Sequence, residues 1–137
     1  MNPLKILLID DSEDDVILYR KACESNERLS VSGSLSESTR ALDYLQSLSE
    51  EMRPDLIFLD INMPVVNGFE VLENLRRDES LRTIPVVMLS TSQRESDIKQ
   101  SYALGATSYI AKPSGFSDVK KMLNIFADYW SLCLRDR

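Results

Sequence analysis

Four short apolar runs restrict this chain more than any other feature: KILLID (residues 5–10), DLIFLD (55–60), PVVMLS (85–90) and SYIAK (108–112). Each is near-continuous rather than alternating. A strand with one wet face alternates polar and apolar residues, so continuous runs predict parallel strands covered on both sides. A further run, LSVSGS (29–34), does alternate and reads as an edge strand. Helical periods fall between them. Val16, Tyr19 and Cys23 share a face, as do Leu42, Leu45 and Leu48, then Phe69, Leu72 and Leu75. Ile98 and Tyr102 mark a less apolar helix preceded by the polar SQRESD (92–97), and Val119, Met122, Leu123, Phe126 and Trp130 line the last one. Asn67-Gly68 and Gly105 punctuate turns, while Pro54, Pro64, Pro85 and Pro113 sit at element edges, where proline is tolerated. Strands alternating with helices predict βαβ units and a parallel sheet: an α/β fold with a doubly wound, five-stranded sheet, for which the order 2-1-3-4-5 is taken.

Five strands and five helices consume nearly all 137 residues, so a single domain spanning 1–137 is expected, with a core at about residues 4–127. The net charge of −6 argues against nucleic acid and against an anionic membrane as partners. Cys23 and Cys133 lie far apart, with no metal-ligand spacing, and read as small apolar residues in a reducing compartment. No apolar stretch approaches the roughly 20 residues of a membrane helix, and no signal-peptide pattern is present, so a cytoplasmic location is expected. The chain contains no histidine, which excludes Ser/His/Asp and Cys/His catalysis.

In a doubly wound sheet all strands end at one edge, and ligands bind beyond those ends. Four of the runs deliver reactive side chains there: Asp10 and Asp11, then Asp60, then Ser90, then Lys112. Each alone has a plainer reading. Asp10 and Ser12 are both candidate helix caps, Asp60 a loop cap, Ser90 a strand-end hydroxyl and Lys112 a solvated amine. Their convergence is the stronger signal. With strands 1 and 3 adjacent, the three aspartates crowd together, and two carboxylates roughly 4 Å apart repel by about 4 kcal/mol at an effective dielectric near 20. A hard divalent cation relieves such crowding, most naturally Mg²⁺ (or Mn²⁺). Lys112 and Ser90 then supply the point charge and the donor that a phosphoryl group requires.

These motifs, DD at 10–11, DINMPVVNG at 60–68, LSTS at 89–92, the Gly105–Ala106 turn and YIAKP at 109–113, resemble the receiver domain of bacterial two-component response regulators, which has a flavodoxin-like fold. The resemblance implies that Asp60 is the phospho-acceptor. It also implies a metal held by Asp11, Asp60 and the backbone carbonyl of Asn62, with Asp10 acting through a water on the metal. It assigns Lys112 and Ser90 to the phosphoryl oxygens, Ser90 and Tyr109 to the switch, and a cis peptide to Lys112–Pro113. Asn62 and Ser92 occupy the two positions that tune phosphoryl lifetime in the family. The donor is then a histidine kinase or a histidine phosphotransfer protein, since this chain has no histidine of its own.

The chain stops soon after the fifth helix, in FADYWSLCLRDR (126–137), so output is expected through contact with a partner protein yet to be identified. Tyr129 and Trp130 direct attention to the face of the fourth helix, fifth strand and fifth helix as a partner or homodimer surface. The plainer alternative has Trp130 covering the end of the core. FADYWSL also resembles stand-alone regulators paired with phytochrome-type kinases. A haloacid-dehalogenase-like phosphatase wants DxDx[TV] on its first strand, whereas DIN follows the third; a flavodoxin-like FMN site wants a hydroxyl-rich loop where DDSED stands; P-loop NTPases need a motif the chain lacks. A degenerate receiver that only binds partners conflicts with the intact set Asp10, Asp11, Asp60, Ser90 and Lys112. As a signalling switch it is expected to be no enzyme beyond its own phosphorylation chemistry.

Overall fold

The structure, a computed structural model, describes residues 2–134. Its strands are β1 (Leu4–Ile9), β2 (Leu29–Leu35), β3 (Leu56–Asp60), β4 (Val86–Ser90) and β5 (Ser108–Ala111). Its helices are α1 (Glu13–Glu24), α2 (Ala41–Ser47), α3 (Gly68–Arg77), α4 (Glu95–Ala103) and α5 (Phe116–Leu132), with short 3₁₀ turns at Ser38–Arg40 and Glu50–Met52. All strand pairs are parallel, in the order β2-β1-β3-β4-β5.

The unbroken apolar runs are explained by two cores, one on each side of the sheet. Leu7, Ile9, Ile57, Leu59, Val86 and Met88 pack with Ala41 and Leu45 of α2 and Val71, Leu72 and Leu75 of α3. The alternate residues Leu4, Ile6, Leu8, Leu56, Phe58, Val87 and Leu89 pack with Tyr19, Ala22 and Cys23 of α1 and Val119, Leu123 and Ala127 of α5. Because successive strand side chains point to opposite faces, both parities must be apolar. β5 is the exception. As an edge strand it is only half-buried, so its run is less enclosed than its apolar residues suggested.

Ser12 caps α1, its Oγ accepting the Asp15 N–H at 3.3 Å. Asn67-Gly68 turns out to be a helix start rather than a free-standing turn: the Asn67 side chain accepts from the Glu70 N–H, and Gly68 is the first residue of α3. The buried residues of α4 are Asp97 and Ser101, and Tyr102 is half exposed. That helix is therefore seated by polar contacts, which is why its apolar period was faint. Cys23 is buried among apolar neighbours, its thiol pushed up to about 11 chiefly by that burial, and Cys133 is also a free thiol. No helix of the described residues is long and apolar enough to cross a membrane.

Candidate functional site

Strand register gathers the acidic residues. Ile9 pairs with Leu59, so Asp10, just past β1, lies beside Asp60, the last residue of β3. Carboxylate oxygens of Asp10, Asp11 and Asp60 all lie within 4.8 Å of one another. Asp10 and Asp60 are buried, at 4% and 6% exposure, and Asp11 faces solvent. Asp10 Oδ1 accepts the Ser12 N–H at 2.9 Å, which ties the carboxylate to the α1 cap.

On the other side of β3, Asp60 pairs with Leu89, and Ser90 pairs with Ala111. Ser90 is fully buried; its carbonyl accepts the Lys112 N–H at 2.9 Å, and its Oγ accepts the Ser92 N–H at 3.1 Å. Lys112 Nζ lies 2.9 Å from Asp10 Oδ2, 2.9 Å from Asp15 Oδ2 and 3.7 Å from Asp60 Oδ1. The structure thus brings Asp10, Asp11, Asp60, Ser90 and Lys112 to one sheet edge, as the sequence led us to expect.

Burial dominates the electrostatics. It pushes the Asp60 carboxyl up to about 6, with the charges of Asp10 and Asp11 adding and Lys112 and the Asn62 N–H opposing. Asp10 is likewise raised, first by burial. Burial alone would lower the Lys112 ammonium, but hydrogen bonds to Asp15 and Asp10, with the charges of Asp10 and Asp60, hold it above its ordinary value.

One expectation is overturned. The Lys112–Pro113 peptide, expected cis, is trans, as is every peptide bond among the described residues. Trans is the lower-energy isomer even before proline, by about 0.5–1 kcal/mol, and from it Lys112 already reaches its carboxylates. Tyr109 is half-buried against the α2/α3 core, with its hydroxyl donating to the Ser92 carbonyl at 2.7 Å. Trp130 packs on the α1/α5 core, the plainer of its two readings, while Tyr129 is 61% exposed. Asn62 is exposed two residues beyond Asp60. Ser92 is held from several sides, its Oγ donating to Asp97 Oδ2 at 2.6 Å.

Sequence reasoning missed three residues. Asp15 shares Lys112 with Asp10. Asp97 seats the β4–α4 loop through Ser92 and Arg94. Arg76 donates to the carbonyls of Gly105, Arg82 and Ile84, bracing the β5 approach. The acidic run SEDD was visible, but only the first-turn geometry of α1 shows which carboxylate points back to the sheet edge. A cleft of about 500 Å³ lined by Leu4, Arg28, Ala127 and Trp130 lies at the amino end of β1, opposite the acidic edge.

Comparison with known proteins agrees with this geometry. The family model for the response regulator receiver domain matches residues 6–124. The probable methanogenesis regulatory protein FilR2 of Methanothrix harundinacea is 37% identical over 134 residues, covering 94% of this chain and 84% of that protein. The phosphorylated cyanobacterial phytochrome response regulator RcpA superposes with a TM-score of 0.83 at 34% identity, covering 97% of each chain. The Mn²⁺-bound form of response regulator Rcp1 follows at 0.80 and 32% identity, covering 98% of this chain and 99% of that one.

Proposed function

The chain belongs to the response regulator receiver-domain family, and from that premise we propose that it is a signalling switch that accepts a phosphoryl group on Asp60. The observation that carries this reading is the crowding of Asp10, Asp11 and Asp60 oxygens within 4.8 Å, with Lys112 Nζ 3.7 Å from Asp60. The donor is a histidine kinase or phosphotransfer protein, and the same reading places the protein in the cytoplasm.

In the transfer, an Asp60 oxygen forms a bond to phosphorus as the donor's P–N bond breaks, and the electron pair leaves with the imidazole. Lys112 faces the charge gathered on the equatorial oxygens, and the Ser90 hydroxyl, one strand away, is the donor that turns toward the new group. Movement of Ser90 pulls on Ser92, whose carbonyl holds the Tyr109 hydroxyl, so the charge change reaches α4 and β5. The donor set for a metal is entirely hard oxygen: the carboxylates of Asp10, Asp11 and Asp60, and the backbone carbonyl of Asn62. It fits Mg²⁺ or Mn²⁺, and the related Rcp1 has been seen with Mn²⁺. When bound, such an ion supplies positive charge against the transferring group. Asn62 and Ser92, flanking the site, set how long the phosphoryl group survives.

Incubation of the protein with Mg²⁺ and acetyl phosphate is expected to add one phosphoryl mass to the parent and none to Asp60→Asn, read by intact mass spectrometry. A parent that binds Mg²⁺ yet gains no mass would instead be a degenerate receiver, acting by binding alone.

Output leaves through the face of α4, β5 and α5, where Ile125, Tyr129 and Leu132 stand exposed along one side of α5 and Tyr102 on α4. Exposed apolar side chains at helical spacing suit a protein partner or a second copy. Light scattering is expected to report a larger species with phosphodonor present, and unchanged monomer mass in both conditions would exclude output by dimerisation.

A further inference from the structure

Resting on Asp60 as the acceptor, we infer that Asp15 is a positioning residue for Lys112: it keeps the ammonium group beside Asp60 rather than on it. Nζ is 2.9 Å from both Asp15 Oδ2 and Asp10 Oδ2 but 3.7 Å from Asp60 Oδ1, beyond hydrogen-bonding distance. An ammonium has three N–H donors on a tetrahedral nitrogen. Two of them are engaged by carboxylates, one at the end of β1 and one in the first turn of α1. The third is left for whatever stands at Asp60.

That distribution has a chemical consequence. The Lys112 side chain is only 10% exposed, so it cannot turn to water when a partner is lost. Without Asp15, the next carboxylate available to it is Asp60 itself. An ammonium bonded directly to Asp60 would occupy a lone pair that has to attack phosphorus and would lower the nucleophilicity of the carboxylate. With Asp15 present, the Asp60 oxygen forms its O–P bond while the donor's bond to phosphorus breaks. Lys112 keeps all its protons through the step and afterwards gives its third N–H to a phosphoryl oxygen.

The competing explanation for an acid at this position is the helix dipole. Glu13 and Asp14 already place exposed negative charge in the same turn, so the dipole does not require Asp15. Simple repulsion of an anionic donor makes the opposite prediction in sign, because removing Asp15 would then speed the reaction.

The test follows phosphoryl gain against acetyl phosphate concentration at saturating Mg²⁺ for the full chain, Asp15→Asn and Asp15→Glu, with thermal melts alongside. The Asp15→Asn variant is expected to lose about tenfold in maximal rate, less than the roughly hundredfold that a full 1 Å misplacement can cost. Its half-saturating donor concentration should not rise, and Asp15→Glu should recover most of the rate. A folded Asp15→Asn that reacts at the parent's rate or faster overturns this inference and leaves Asp60 as acceptor. So does an Asp15→Glu as slow as Asp15→Asn. A parent that gains no phosphoryl group overturns both readings together.

Discussion

Gly68→Ala is expected to lower the unfolding free energy by about 3 kcal/mol or more, toward the upper end of overpacking effects. A Cβ at this position would lie 2.7 Å from the Ile61 Cα and closer still to the Asp60 carbonyl oxygen. Both obstacles are backbone, so no side chain can swing aside. Gly68 also donates its N–H to the Ile61 carbonyl at 2.8 Å, so moving α3 away breaks a bond that closes the loop after β3. For a domain of this size the expected loss is a fall in Tm of roughly 10 °C. Gly115→Ala is the comparison: φ there is +87° with nothing within 4 Å of the added methyl, so only backbone strain is felt, about 1 kcal/mol. Melting curves in which the two variants fall equally would show that the contact with Asp60 and Ile61 carries no special weight. The first helical residue of α3 is glycine because the helix must start against the acidic strand end.

That contact was not legible in the sequence, where Asn67-Gly68 has the look of an ordinary turn. Much else was. The parity of the strands follows from their composition: Leu7, Ile9, Ile57 and Leu59 face one core, and Leu8 and Phe58 the other. The site followed from the fold, since parallel strands put Asp10, Asp60, Ser90 and Lys112 at a common edge whatever their loops do. What stayed hidden depends on single torsions or on direction within a turn. Nothing in SEDD distinguishes the exposed Glu13 and Asp14 from Asp15, whose carboxylate meets a lysine 97 residues away. Nothing in MPVVNG indicates that Val65 takes φ of 68°. On α4, polar residues do the seating that hydrophobic periodicity is designed to find, so Asp97 gave no period at all.

Asp60→Asn is expected to be more stable than the parent at pH 7.5, by at most about 3 kcal/mol at 1.36 kcal/mol per pKa unit. The Asp60 carboxyl is held at about 6 against an ordinary 3.8, first by burial and then by the neighbouring Asp10. Between those values the unfolded chain releases its proton while the folded chain keeps it. The stability contributed by protonated Asp60 is therefore fully present below 3.8 and is lost as pH rises through about 6. Asp10, raised in the same direction, adds to the loss. Lys112 is raised above its ordinary value, so its contribution persists through neutral pH and does not alter this window. Asparagine stays neutral at every pH, so the two unfolding profiles should meet near pH 4, draw apart as pH rises to about 6 and keep that gap above it. Parallel profiles, or a less stable variant at pH 7.5, would show that burial does not disfavour the Asp60 charge. Added Mg²⁺ should stabilise the parent more than the variant, because only the parent offers three carboxylates to the ion. A charge kept in a site that disfavours it is one that a cation or a phosphoryl group can reorganise, and the instability of ionised Asp60 at neutral pH is the same property that makes it a sensitive input.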